Sequence, residues 1–416
     1  TASGFALGAF PLVANAQQGA APAAAGLKAD RQPAAFVKIA RDGEVTVTIN
    51  RLEFGQGTHT GLAMVLAEEL DADWSRVQAV HGNADPAYND PAFGMQITGG
   101  STAVKHSYTQ YRELGARTRA MLVAAAAKQW NVPASSLATE RGVVIGPGGK
   151  KLTYGALAEA AMQQPVPVEV TLKDPARFKL IGQPTTRLDS QAKSSGKQDF
   201  GMDVRLPGML TAVLTHPPVF GSKVAALDDA AARAVPGVKA VMRVPLHDGG
   251  EGVAVVATGY WAAKQGRDAL KVQWNDAGRE KVDSTQQLAS YRALAAKTGN
   301  LKHDADMAPL ATAPNKISAE FVFPYLNHAQ LEPLACTVDL KPDRCELHYA
   351  SQMPGVDAGA VARATGLPPD KVQIHVQMAG GGFGRRAVPT SEYVLEAVSV
   401  ARALAASGRR APVKVV

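Results

Sequence analysis

Alternation and helical spacing divide the chain into segments of recognisable type. From Phe36, FVKIARDGEVTVTIN sets apolar residues at alternate positions around Arg41-Asp42-Gly43, which predicts a β-hairpin. Past LEFGQGTHTG, Leu62, Val65, Leu66 and Leu70 recur at helical spacing, so FGQGTHT reads as a glycine-rich turn opening a helix. A second such turn, TGGST, precedes a stripe from Val104 through Tyr111, Leu114, Met121 and Ala125, which predicts one long helix ending near Trp130.

Residues 186–290 read as a separate mixed unit, entered through the polar SQAKSSGKQDFG and left through a polar, alanine-rich segment. MLTAVLTH, VKAVMRV, VAVVA and VQWN are its strands; DDAAARAV and WAAKQGRDAL are its helices. From Ser318 the chain alternates again in ISAEFVF, TVDL and ELHYA. A helix over 355–366, the strand VQIHVQM and a last helix in SEYVLEAVSVARALA follow. Between that strand and helix lies AGGGFGRR, residues 379–386.

A chain of 416 residues, 46% hydrophobic and 19% charged, holds two or three domains with substantial cores. The net charge is +7, but its lysines and arginines are scattered without interleaved aromatics, which argues against nucleic acid; such an excess more often reflects ordinary solvated surface, although it would also suit an anionic cofactor or acidic partner. Two cysteines, Cys336 and Cys345, are too few for an iron-sulfur cluster, and no C-x-x-C-H haem signature occurs. Their spacing across a possible hairpin leaves a disulfide and two buried thiols both open. The opening TASGFALGAFPLVANAQQ has a short apolar stretch ending in Ala14-Asn15-Ala16, which predicts an export signal, with a loose linker to residue 33.

Gly382-x-Gly384-x-x-Ala387 matches the loose dinucleotide fingerprint, but no Asp or Glu occurs between Ser399 and Val416 to hold a ribose, so a nicotinamide-dependent dehydrogenase is the weaker reading. Taken with FGQG and TGGS, AGGGFG makes a third strand-to-helix turn of bare backbone. Peptide N–H groups without a Cβ in the way are suited to gripping an extended anionic ligand.

These three motifs, in this order, resemble the molybdopterin-binding large subunit of the molybdenum hydroxylases, the xanthine dehydrogenase and aldehyde oxidoreductase family. The likeness covers residues 34–416 and is nearest to the branch with the isoquinoline oxidoreductase β subunit and membrane-associated aldehyde dehydrogenases. It implies an α+β fold in which a molybdopterin-binding domain, built from segments 34–185 and 291–416 in permuted order, flanks a hammerhead-like α/β domain over 186–290. It also implies that Gln56 and Gly57 of FGQG, and Gly99, Gly100 and Ser101 of TGGS, hold the pterin and its phosphates. Gly381, Phe383 and Gly384 would lie beside the molybdenum, with the Gln352 amide donating toward it. The cofactor implied is molybdopterin in its cytosine dinucleotide form. The implied chemistry takes oxygen from water, with a glutamate base expected beyond Val416 and therefore no catalytic residue in this chain.

The resemblance further implies a C-terminal half of the large subunit, a 2Fe-2S small subunit, a c-type cytochrome, and a periplasmic, membrane-associated complex. Ala387 stands where purine-oxidising members have a glutamate, which favours aldehydes over purines and leaves an isoquinoline-like heterocycle open. A scaffold without turnover is the non-enzymatic alternative. His59 and His328 have no second ligand at metal spacing and read as hydrogen-bonded structural histidines. Glu332 reads as a salt-bridged loop acid, and Arg385 and Arg386 equally as surface charges or as phosphate or partner contacts.

Overall fold

The computed structural model describes residues 27–300 and 305–416, so the expected export signal lies outside the described residues. Strands β1 (Val37–Ile39) and β2 (Val45–Ile49) form the expected hairpin, with Val37 opposite Val47, and β3 (Val77–His81) joins β2 in parallel. Alternation buries Val45, Val47 and Ile49 on one face, where the helix Thr58–Leu70 and the long helix Ala103–Trp130 pack. The two helices touch at Gly115, where a Cβ would lie 2.4 Å from the Leu66 carbonyl oxygen. The stripe of the long helix begins one turn later than its spacing suggests, because Val104 is exposed. A small meander of β4 (Ala138–Glu140), β5 (Val143–Ile145) and β6 (Lys151–Thr153) closes this part.

The middle strands are β7 (Leu210–Thr215), β8 (Lys223–Asp228), β9 (Val238–Pro245), β10 (Glu251–Ala257) and β11 (Lys271–Asn275). Next come β12 (Cys336–Leu340), β13 (Cys345–Tyr349), β14 (Val372–Val376) and β15 (Val413–Val415). Seven of these make one sheet in the order β14-β13-β12-β15-β7-β10-β9. The reading of 186–290 as a separate unit meets a continuous sheet: β15 pairs with β12 on one side and β7 on the other. The core follows the sheet, since Leu210 and Val256 share a cluster with Val338, Val415 and the last helix, Glu392–Ala406. The outer face of β7, β9 and β10, covered by Ala230–Ala234 and Tyr260–Asp268, has cores confined to the middle segment.

The structure corrects two sequence expectations. ISAEFVF forms no strand; Ile317, Phe321 and Phe323 are 98%, 76% and 83% exposed, so the alternation has neither a sheet edge to pair with nor a core to face. The disulfide alternative also fails. Cys345 stands opposite Leu340 in the β12–β13 ladder, four residues along from Cys336, and both thiols are free and buried.

Candidate cofactor-binding site

Each glycine motif lies where a strand or a helix start forces the backbone into the left-handed region. In TGGS, Gly100 and Ser101 have φ of +62° and +56° just before the long helix; in GGFG, Gly381, Phe383 and Gly384 have φ of +95°, +52° and +93°. A phenylalanine held left-handed costs on the order of 1–2 kcal/mol, and this one is 72% exposed, so no burial of its ring offsets the strain. What the conformation yields is a run of N–H groups left out of regular pairing. Among the described residues, none accepts a hydrogen bond from the N–H of 99–101 or of 381–384. Successive unpaired amides in turns of this hand form an anion-binding concavity.

Gln352 joins the two loops. Its Nε2 donates to the Thr98 carbonyl at 2.6 Å, its backbone carbonyl accepts from Thr98 N–H at 2.8 Å, and its own N–H donates to the Arg386 carbonyl at 3.0 Å. The residue is 3% exposed, and its buried Oε1 has no partner among the described residues. A Cβ on Gly382 would sit 3.5 Å from that oxygen and 3.7 Å from the Phe54 ring, so the glycine loop, Gln352 and the FGQG segment enclose one point. The sequence reading expected the amide to offer a donor there. The Thr98 carbonyl captures Nε2 and leaves an acceptor facing the junction, so a partner must donate to it or turn the amide.

The FGQG turn departs further from expectation. Buried Glu53 accepts from the N–H groups of Gly55, Gly57 and His59 at 2.8, 3.2 and 3.1 Å. The Gln56 side chain closes on its own turn, accepting from Phe54 N–H and donating to the Leu52 carbonyl. The Gly57 N–H and the Gln56 side chain are therefore occupied internally, while the Gln56 backbone N–H has no acceptor among the described residues, and the turn is a braced wall of the site. Burial works against the Glu53 charge, but the three N–H donors and Lys193 outweigh it and hold its pKa below the ordinary carboxylate value. Beneath it, burial pushes His59 down to about 4, and His81, which accepts from Glu53 N–H, is lowered well below its usual range. Both rings are neutral at physiological pH.

The readings of the remaining singled-out residues divide. Glu332 is the salt-bridged loop acid expected: it pairs with Arg386 at 3.0 Å and accepts from the N–H groups of Met202 and Gly380. Arg386 is neither a surface charge nor a free anion ligand, because it is 1% exposed and its Nε donates to the Gly381 carbonyl, bracing the loop from behind. Arg385 pairs with Glu392. His328 is exposed, and its ring has no hydrogen bond among the described residues, so the structural-histidine reading fails for it. The dinucleotide reading fails as well: residues 377–391 separate β14 from the last helix, whose N-cap is Ser391, so no helix N-terminus opens at Gly382 or Gly384.

A cavity of about 900 Å³ borders the far side of the loop, with Gly384, Ala387, Leu214, Phe220 and Leu246 in its wall. Neither Gln352 nor residues 99–101 line it, so it adjoins the junction without being it. Sequence reasoning missed Glu53, Thr98 and the bracing role of Arg386. An acid immediately ahead of a glycine turn was the one signal available, since such a carboxylate can cap the turn's amides.

Two family models described as molybdopterin cofactor-binding domain match residues 4–198 and 288–416. The chain is 31% identical to the beta subunit of isoquinoline 1-oxidoreductase from Brevundimonas diminuta, over 96% of this chain and 58% of that protein. It is 29% identical to the membrane-bound aldehyde dehydrogenase (pyrroloquinoline-quinone) of Gluconacetobacter polyoxogenes, over 90% of this chain and 49% of that one. It is 26% identical to a nicotinate dehydrogenase subunit from Pseudomonas putida, over 90% of this chain and 31% of that one. The chain thus spans about half the length of the first two relatives. Two unpaired glycine loops meeting at a buried glutamine suit the anionic group those domains are named for, and the chain belongs to the molybdopterin-binding large subunits of the molybdenum hydroxylases.

Proposed function

We propose that this chain is part of a molybdenum hydroxylase large subunit, in an enzyme that oxidises an aldehyde to a carboxylic acid with water as the oxygen source, releasing two electrons and two protons per turnover. The observation that carries the reading is the junction itself: two loops whose N–H groups at 99–101 and 381–384 have no acceptor among the described residues are tied to Gln352, whose buried Oε1 no described residue satisfies. The residues fit a phosphorylated pterin, whose phosphates the bare amides would hold while Gln352 pairs with a polar group at its reacting end. When bound, a molybdenum–pterin group supplies the two-electron chemistry. The chain's own residues orient it: Arg386 and Glu332 fix the GGFG loop, and Glu53 fixes the FGQG wall.

The cytosine dinucleotide form of the pterin belongs to this reading, as do a 2Fe-2S subunit, a c-type cytochrome and a periplasmic, membrane-associated setting. The relatives' designations as subunits support a multi-subunit enzyme. The C-terminal half of the large subunit is the first partner, supported by the chain's share of its relatives and by the unpaired apolar segment 317–331. Hydroxylation of an N-heterocycle is the second reading, favoured by the isoquinoline relative and compatible with Ala387. Both are tested on the purified complex by assaying aldehyde and heterocycle oxidation beside molybdenum content. The expected result is aldehyde turnover proportional to molybdenum. Full activity in a preparation free of molybdenum would overturn both readings.

A further inference from the structure

On the face of the large sheet turned away from the last helix, three metal-ligating side chains meet outside the pterin junction. Glu346 and His348 are two residues apart on β13 and so project to the same face, while Cys345, Leu347 and Tyr349 project into the core. On the parallel neighbour β14, His375 stands directly beside His348 in register. The two imidazoles lie 4.3 Å apart between centroids at 14°, and Glu346 Oε2 is 3.7 Å from His375 Nε2. One donor atom from each residue lies within 4.8 Å of the others. An i, i+2 pair on one strand plus a lateral neighbour is a facial three-donor set.

The arrangement is poorly explained as packing. His375 Nε2 is buried without a hydrogen-bond partner among the described residues, an unsatisfied atom within the cluster. Arg344 Nε engages Glu346 Oε1 at 3.0 Å, which fixes the carboxylate and leaves Oε2 aimed at the imidazole. A cavity of about 440 Å³, lined by Glu346 and His348 with Asp339, Lys341 and Arg410, opens over the same face and leaves room for a water or external ligand. Lys341 is itself paired with Asp339 at 3.1 Å.

We propose that Glu346, His348 and His375 form a binding site for one divalent transition ion of the zinc type, separate from the pterin junction, with its fourth position open to the cavity. Two imidazoles and one carboxylate are the donor set this ion takes when a coordination place is left free. Tetrahedral zinc with bonds of about 2.0–2.1 Å needs donors about 3.3 Å apart, so the 3.7 Å pair is nearly in place and the third donor closes by a rotamer adjustment. The proposal does not depend on the pterin reading.

The test is calorimetric titration of the purified complex with zinc chloride, for the native protein and for His348→Ala, His375→Ala and Glu346→Gln. Circular dichroism and molybdenum content are measured on each. One saturable zinc per chain is expected, with binding weakened roughly tenfold or more in every variant and molybdenum content unchanged. Native protein without saturable binding would overturn the proposal, as would variants that bind zinc as tightly as the native chain. Molybdenum lost together with zinc would overturn the separateness of the site.

Discussion

At Gln352 one buried amide ties two distant parts of the chain together and still leaves its oxygen unsatisfied. Gln352→Ala removes the bond to the Thr98 carbonyl and leaves that carbonyl buried, a loss of about 1–3 kcal/mol in denaturant unfolding. The same variant is expected to retain less molybdenum, whereas a purely structural glutamine would lower stability and leave metal retention per folded chain intact. A pH dependence belongs to the same scale. His59 is pushed down to about 4 in the folded chain against about 6.5 in an unfolded one, so the unfolded state binds the extra proton as pH falls through that window. Glu53, held low in the fold, adds to the loss at more acid pH. Stability is therefore expected to be full above about pH 6.5 and to fall by a few kcal/mol toward pH 4, and His59→Gln should flatten that slope.

The GGFG loop is held from behind as much as it is shaped by its glycines. Arg386→Ala removes the counter-charge of the nearly buried Glu332 carboxylate, which keeps only its two N–H donors, and is expected to cost about 3 kcal/mol, measured by thermal unfolding. Position decides which glycine tolerates a methyl group. A Cβ on Gly380 would meet the Glu332 side chain at 2.6 Å, while one on Gly382 finds ordinary contacts at 3.5 Å. Gly380→Ala should therefore destabilise the loop and Gly382→Ala should fold normally. The elements flanking these loops were legible in the sequence because the hairpin and both early helices carry clean periods of two and 3.6 residues. ISAEFVF carried the same period and made no strand, because alternation records which face wants burial and not whether a partner edge is present. In the complete complex, hydrogen exchange over 317–326 is expected to be slow, and in this chain alone fast. Equal, rapid exchange in both would remove the segment as a partner surface.

Across the whole molecule, the sheet explains why loops far apart in sequence can meet. Thr98 and Arg386 are brought to either side of Gln352, and Ala379 N–H donates to the Glu53 carbonyl, so the first and last parts of the chain close on one another. The glycine motifs announced which loops would take part, and the family resemblance announced that they would converge. The sequence could not disclose which amides remain free. That depends on Glu53, whose capping of the FGQG turn is a tertiary outcome of burial beside His59 and His81. Nor could it disclose the continuity of the sheet across residue 290, because strand order is set by long-range pairing and not by local period. The most direct test of the account is an electron-density map of the loaded complex at a resolution that places the pterin. The account predicts phosphate oxygens within hydrogen-bond distance of the N–H groups of 99–101 and the reacting end of the cofactor against Gln352 and 381–384. Density for the cofactor elsewhere, with those amides facing only water or protein, would contradict it.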